Sequence, residues 1–198
     1  MEEKITRDLQ TNIEIGEKIK RIAPEIARAA AMIIEGVKSG GKVLICGNGG
    51  SAADSQHIAA ELVGRFKRER KALPALALTT DTSIITSLAN DYSFEEIFAR
   101  QLEALGSAGD ILILISTSGN SPNLIRAAGT ARQQNLKTIA LLGRDGGELA
   151  GKTDLALIVP ASETDRIQEG QSVIYHIICD LVEEAFVSED RSQKSEVR

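Results

Sequence analysis

Five short apolar runs rich in Val, Ile and Leu punctuate the chain, and segments whose apolar residues return every third or fourth position fill the gaps. The runs are "KVLICG" (42–47), "ALALTT" (75–80), "DILILIST" (110–117), "KTIALLG" (137–143) and "LALIVP" (155–160). Continuous rather than alternating hydrophobicity is expected of a strand covered on both faces. The helix-period segments lie at about Ser51 to Phe66, Phe94 to Leu105 and Pro122 to Gln134, with a short one near Glu148. Such β-α alternation requires parallel strands joined by right-handed crossovers. The predicted architecture is therefore α/β in three layers, a five-stranded parallel sheet flanked by helices. Pro24 divides an N-terminal helical segment of about residues 1–39, and an amphipathic helix from about Thr164 to Val187 closes the fold. The tail, about 188–198, has little to bury and is expected to be flexible.

With 198 residues and 42% hydrophobic side chains, the chain has the material for one core and one domain, spanning 1–198. Its 28 acidic against 23 basic side chains give a formal charge of -5, which disfavours nucleic acid as a partner. No window has the roughly 18 to 20 apolar residues of a membrane span. The N-terminus "MEEKITRDLQ" is charged where a signal peptide would be apolar. These features predict a cytoplasmic protein that does not enter a membrane. Cys46 and Cys179 are too few for a disulfide framework and read as buried thiols.

In an open parallel sheet, ligands bind beyond the carboxyl ends of the strands. The first run is followed by "GNGGS" and the third by "STSGNS" (116–121), with "TTDTS" after the second. Glycine allows the backbone to approach an anion, hydroxyls add donors, and the helix N-terminus that follows favours negative charge. Two such loops point to a phosphate ester. Gly47, Gly49 and Ala52 formally satisfy a dinucleotide fingerprint, but Asp81 lies well beyond the spacing of a ribose-binding acid, and no P-loop is present.

Only two histidines occur. His57 and Glu61 are one helical turn apart beside the apolar stripe of Ile58, Leu62 and Phe66, while His176 shares the closing helix with Gln168 and Ser172. His57, Glu61, Gln168 and His176 form a plausible nitrogen and oxygen ligand set for zinc or a similar divalent ion. A carboxylate and an imidazole near a phosphate ester also suit proton transfer on a sugar phosphate. Gln168 and His176 raise a geometric difficulty: on one continuous helix they are separated by about 12 Å of rise. Either the helix starts after Gln168, or neighbouring copies of the chain share the site; the apolar surface offered by the N-terminal and closing helices favours the second.

The runs "GNGGSAADSQHIAAELVGRF", "LANDYSFEEIF", "ISTSGNSPN" and "DRIQEGQSVIYHIICDLVE" together resemble the phosphoheptose isomerases, sugar isomerases of the SIS class, from about Gly40 to Glu183. The resemblance implies a flavodoxin-like sheet, a homotetramer, and conversion of sedoheptulose 7-phosphate to D-glycero-D-manno-heptose 7-phosphate, which begins heptose synthesis for bacterial surface polysaccharide such as lipopolysaccharide. It places Asn48, Ser51, Ser116, Thr117, Ser118 and Ser121 in the phosphate and substrate loops. His57, Glu61, Gln168 and His176 fall at metal and catalytic positions, and Arg65, Asn90, Asp91 and Asp165 at others lining the site. Glu61 is read as the base and His176 as the acid, with the roles exchangeable. The basic run "RFKRERK" reads as a solvated loop. Two other readings on the same scaffold are an adaptor that binds the bacterial replication initiator and a sensor that binds a sugar phosphate without turnover.

Overall fold

The computed structural model describes residues 1–196, with side chains described as far as Val187. Helices α1 (Glu2–Ile19) and α2 (Ala23–Lys38) precede the sheet, separated by a 3-10 turn, with Pro24 in the first turn of α2. There follow β1 (Val43–Gly47), α3 (Gly50–Val63), β2 (Ala75–Ala77), α4 (Thr82–Asp91), α5 (Ala99–Leu105), β3 (Ile111–Ser116), α6 (Pro122–Gln133), β4 (Lys137–Gly143), α7 (Gly147–Ala150), β5 (Leu155–Val159) and α8 (Thr164–Glu196). All strand pairs are parallel, in the order β2-β1-β3-β4-β5. This is the flavodoxin-like order, and its topological switch point lies between β1 and β3.

Side-chain alternation sorts the strands between two cores. Val43, Ile45, Ile111, Ile113, Ile115, Ile139 and Leu141 face one core with residues of α1, α2, α3 and α8. Leu44, Cys46, Leu112, Leu114, Ala140 and Leu142 face the other, with residues of α5, α6 and α7. β1 and β3, and β4 after its first residue, are buried on both faces, which is why they read as nearly unbroken apolar runs.

Four local details differ from the expectation. The "TTDTS" stretch opens α4 rather than a loop: the Asp81 carboxylate caps the helix by accepting from the Ile84 N–H at 2.9 Å. Ser, Thr and Asn favour turns in isolation, and here Thr86 and Ser87 direct their hydroxyls to the backbone carbonyls of Thr82 and Ile84. The second strand stops at Ala77. The segment expected as one helix from Phe94 divides into a 3-10 turn and α5, and α3 ends at Val63, before Gly64. The closing helix is continuous from Thr164 through Gln168 and His176 to Glu196, so a start after Gln168 is ruled out. Of the tail expected to be flexible, residues 197 and 198 lie outside the described residues, as do the side chains from 188 onward.

Candidate active site

The loops after β1 and β3 meet at the switch point. Asn48 and Asn123 exchange amide hydrogen bonds of 3.0 and 2.8 Å, joining the "GNGGS" loop to the first turn of α6. Within "STSGNS", the buried Ser116 hydroxyl accepts from the Gly119 N–H at 3.0 Å and lies 3.5 Å from the Ser121 hydroxyl. The Ser118 hydroxyl accepts from the Asn120 N–H at 3.2 Å. Gly119 has φ +69, and a side chain there would collide with the Gly146 carbonyl, so the loop is compatible with glycine alone. Thr117 is half-buried beside it, and Ser51 is buried in the first turn of α3. Neither α3 nor α6 has a side-chain cap, in contrast to α4.

Further along α3 from the first of these loops, α3 and α8 bring together His57, Glu61 and His176. The His57 Nε2 lies 3.0 Å from Glu61 Oε1 and 3.4 Å from His176 Nε2. One ligand atom from each of the three residues lies within 4.8 Å of the others. His57 is 44% and Glu61 20% exposed at the side chain, so the group opens to solvent on one side. Behind it, the Tyr175 hydroxyl sits 3.5 Å from His57 Nδ1 and donates to Asp54 Oδ1 at 3.4 Å. The His176 ring stacks on Phe66 with centroids 5.6 Å apart at 14°. Burial, followed by the nearby His57, lowers the His176 pKa against the opposing pull of Glu61. Burial raises that of Tyr175. Both shifts favour neutral side chains beside the carboxylate.

The donor chemistry of two imidazoles and a carboxylate fits a zinc-type divalent ion. The fourth expected ligand does not join them. Gln168 lies two turns along α8 from His176, donates from Nε2 to Asp54 Oδ2 at 3.0 Å, and covers Gly50, where a Cβ would run into its amide. Within one chain α3 and α8 assemble His57, Glu61 and His176, while Gln168 faces the α3 N-terminus. Sharing between copies is not needed to bring these three together.

The other expected lining residues stand apart from the cluster. Arg65 is exposed and pairs with Glu69 at 3.0 Å. Asn90 donates to Asp91 at 2.8 Å, both exposed at the end of α4. Asp165 is exposed and bonded to Arg166, whose backbone and side-chain N–H groups hold its pKa below the usual carboxylate range. Sequence reasoning missed Asp54, Tyr175 and Asn123. Asp54 had a signal, a carboxylate three residues before His57 on the same helix face, and Tyr175 is one of only two tyrosines. The Asn48–Asn123 pairing had none, because no sequence spacing encodes contact between two loops.

The SIS domain family model matches residues 10–143. The chain is 54% identical over 182 residues to the phosphoheptose isomerase of Pelobacter propionicus, covering 91% of this chain and 96% of that one. It is 50% identical over 183 residues to that of Helicobacter hepaticus, covering 92% and 93%. Among solved structures, the phosphoheptose isomerase GmhA of Neisseria gonorrhoeae superposes with a TM-score of 0.87 at 41% identity, covering 92% of this chain and 98% of its own. The phosphoheptose isomerase of Francisella tularensis gives 0.89 at 39% identity, covering 92% and 97%. The chain belongs to the phosphoheptose isomerase family of SIS-domain proteins, a family of aldose–ketose isomerases.

Proposed function

We propose that the protein interconverts sedoheptulose 7-phosphate and D-glycero-D-manno-heptose 7-phosphate, supplying heptose for bacterial surface polysaccharide. The observation that carries this reading is the position of His57 and Glu61 on α3, the helix that begins at the "GNGGS" loop, with His176 of α8 brought within 4.8 Å of them. At about 1.5 Å of rise per residue, Ser51 and His57 lie about 9 Å apart along α3. That distance is of the order of an extended seven-carbon chain, with its phosphate at one end and its carbonyl at the other.

In this reading the uncapped α3 and α6 N-termini, with Ser51, Ser116, Thr117, Ser118, Ser121 and Asn48, receive the phosphate and the near hydroxyls. Glu61 takes a proton from the carbon next to the carbonyl and returns it to the neighbouring carbon, through an enediol. His176, whose pKa burial lowers, passes protons between the two oxygens. Tyr175 and Asp54 steady His57 from behind. A zinc ion held by His57, Glu61 and His176, with Gln168 the nearest further amide on α8, would supply carbonyl polarisation.

The protein acts as a homotetramer in the cytoplasm, where a charged sugar phosphate is retained. Two exposed stripes support assembly: Ile5, Leu9 and Ile13 on α1, and Val173, Ile177 and Leu181 on α8, each 38% to 60% exposed. Arg65, Asn90, Asp91 and Asp165 then complete the sites where copies meet. Among the described residues no helix is long and apolar enough to cross a membrane. An adaptor or sensor has no use for three clustered ligand groups whose desolvation is costly. The test is an assay of the purified protein with sedoheptulose 7-phosphate, with and without a chelator. Aldose formation that the chelator abolishes and zinc restores is the expected result. No turnover would refute the substrate, and turnover indifferent to the chelator would refute the metal.

A further inference from the structure

Residues 64–71 lead from α3, which carries His57 and Glu61, toward β2, and include the basic run that reads in sequence as a solvated loop. Two carboxylates of α8 hold this segment. Asp180 pairs with Lys67 at 2.9 Å and Arg68 at 2.6 Å on the surface. Glu183, 1% exposed, binds three successive backbone amides: Oε1 accepts from Phe66 at 2.8 Å, and Oε2 from Lys67 at 2.8 Å and Arg68 at 2.9 Å. Charge-assisted bonds of this kind are the strong ones. Burial pushes the Glu183 carboxyl up, but the three backbone donors and Arg70 outweigh it and hold the group below its usual value.

Both ends of the pinned segment reach the proposed reaction groups. The Phe66 ring lies nearly parallel to the His176 imidazole, at 14° and 5.6 Å. The Arg70 side chain, 1% exposed, has its Nε 3.8 Å from Glu183 and donates from Nη2 to the Glu61 carbonyl at 2.7 Å. Surface pairing through Asp180 would suffice to tether a loop. A buried carboxylate adds a fixed backbone path, and a ring stacked on an imidazole needs that path to keep its place.

We propose that Glu183 is a positioning residue for the isomerase reaction: it fixes the 66–70 backbone so that Phe66 holds the His176 imidazole and Arg70 holds the last turn of α3, setting His176 against Glu61. The inference rests on the reading that Glu61 and His176 carry the proton transfer. Glu183 acts through these neighbours and touches no substrate.

The experiment compares Glu183→Gln, Phe66→Leu, Phe66→Tyr and the Glu183→Gln/Phe66→Leu double variant. Kinetics with sedoheptulose 7-phosphate are joined to NMR of the imidazole nitrogens at one fixed pH, which two histidines keep simple to assign. Glu183→Gln and Phe66→Leu should each lower kcat by about 10- to 100-fold, with KM within about 3-fold. Phe66→Tyr keeps the ring and should retain activity. The double variant should be no worse than the poorer single one, and His176 resonances should move in both singles. Losses that multiply in the double variant overturn the proposal, as do unchanged kcat and unmoved His176 resonances in Phe66→Leu. If those resonances move while kcat stays, positioning stands and the assignment of His176 to proton transfer falls. Should Glu183→Gln fail to fold, Phe66→Leu decides by the same two readouts.

Discussion

Glu61 sits 3.0 Å from a histidine and 20% exposed, positioned to meet a ligand entering from solvent. Glu61→Gln preserves shape and removes the base, so kcat should fall by about 10²- to 10⁴-fold in a protein whose circular dichroism is unchanged. Activity near that of the parent protein would remove Glu61 from the chemistry. Glu183 makes a prediction about pH. Its folded pKa is depressed from the ordinary glutamate value of 4.5, so its contribution to stability is complete above that value and is lost as pH falls through the lower, folded one. Between about pH 5 and about pH 3, the urea midpoint of the parent protein should therefore fall more steeply than that of Glu183→Gln. Equal slopes would show that the three amide bonds do not discriminate the ionised form. Both histidines, Glu61 and the serines were legible as candidates from residue type and spacing. Glu183 was not, since a glutamate near the end of an amphipathic helix is ordinarily solvated, and only the return of residues 66–68 against it reveals its partners.

The connection from β3 to α6 works as a unit. The Ser116 hydroxyl is committed to Gly119, Gly119 packs on Gly146, and the Asn120 amide oxygen accepts from the Glu148 N–H at 2.9 Å. Ser116→Ala or Ser118→Ala should raise KM for the phosphorylated sugar several-fold, with a smaller effect on kcat; calorimetry showing unchanged affinity in both would displace the phosphate from this loop. Gly119→Ala has two faults, a positive φ and a collision with the Gly146 backbone. It should cost about 1 to 3 kcal/mol of stability and raise KM as well. A melting temperature equal to the parent's would contradict this account of the loop. Strands and long helices were legible in the sequence because burial on two faces or on one stripe leaves a period. The α4 helix was not, because its Ser, Thr and Asn side chains favour turns locally and a single capping carboxylate at Asp81 tips the balance.

Across the whole molecule, one chain supplies Glu61 and His176 to the same cluster. Mixing Glu61→Gln with His176→Ala under subunit exchange should therefore restore no activity, since every site retains one defect. Recovery would mean that the catalytic pair is drawn from two copies. Ile177→Glu, in the exposed stripe of α8, should dissociate the proposed tetramer in sedimentation analysis, and an unchanged mass would exclude that face from the interface. Without reference to any structure, the sequence determined the layer order of the fold, the two loops at the strand ends, and the two histidines with Glu61, because strand burial, helical periodicity and residue scarcity are properties of a single linear pattern. The tertiary structure alone decided that Gln168 turns to Asp54 rather than to the histidines, that Asn48 and Asn123 lock the two loops together, and that Glu183 grips residues 66–68. The physical reason is common to all three. Each is a hydrogen-bonding choice made among partners distant in sequence, and directional polar contacts of that kind leave no periodic trace along the chain.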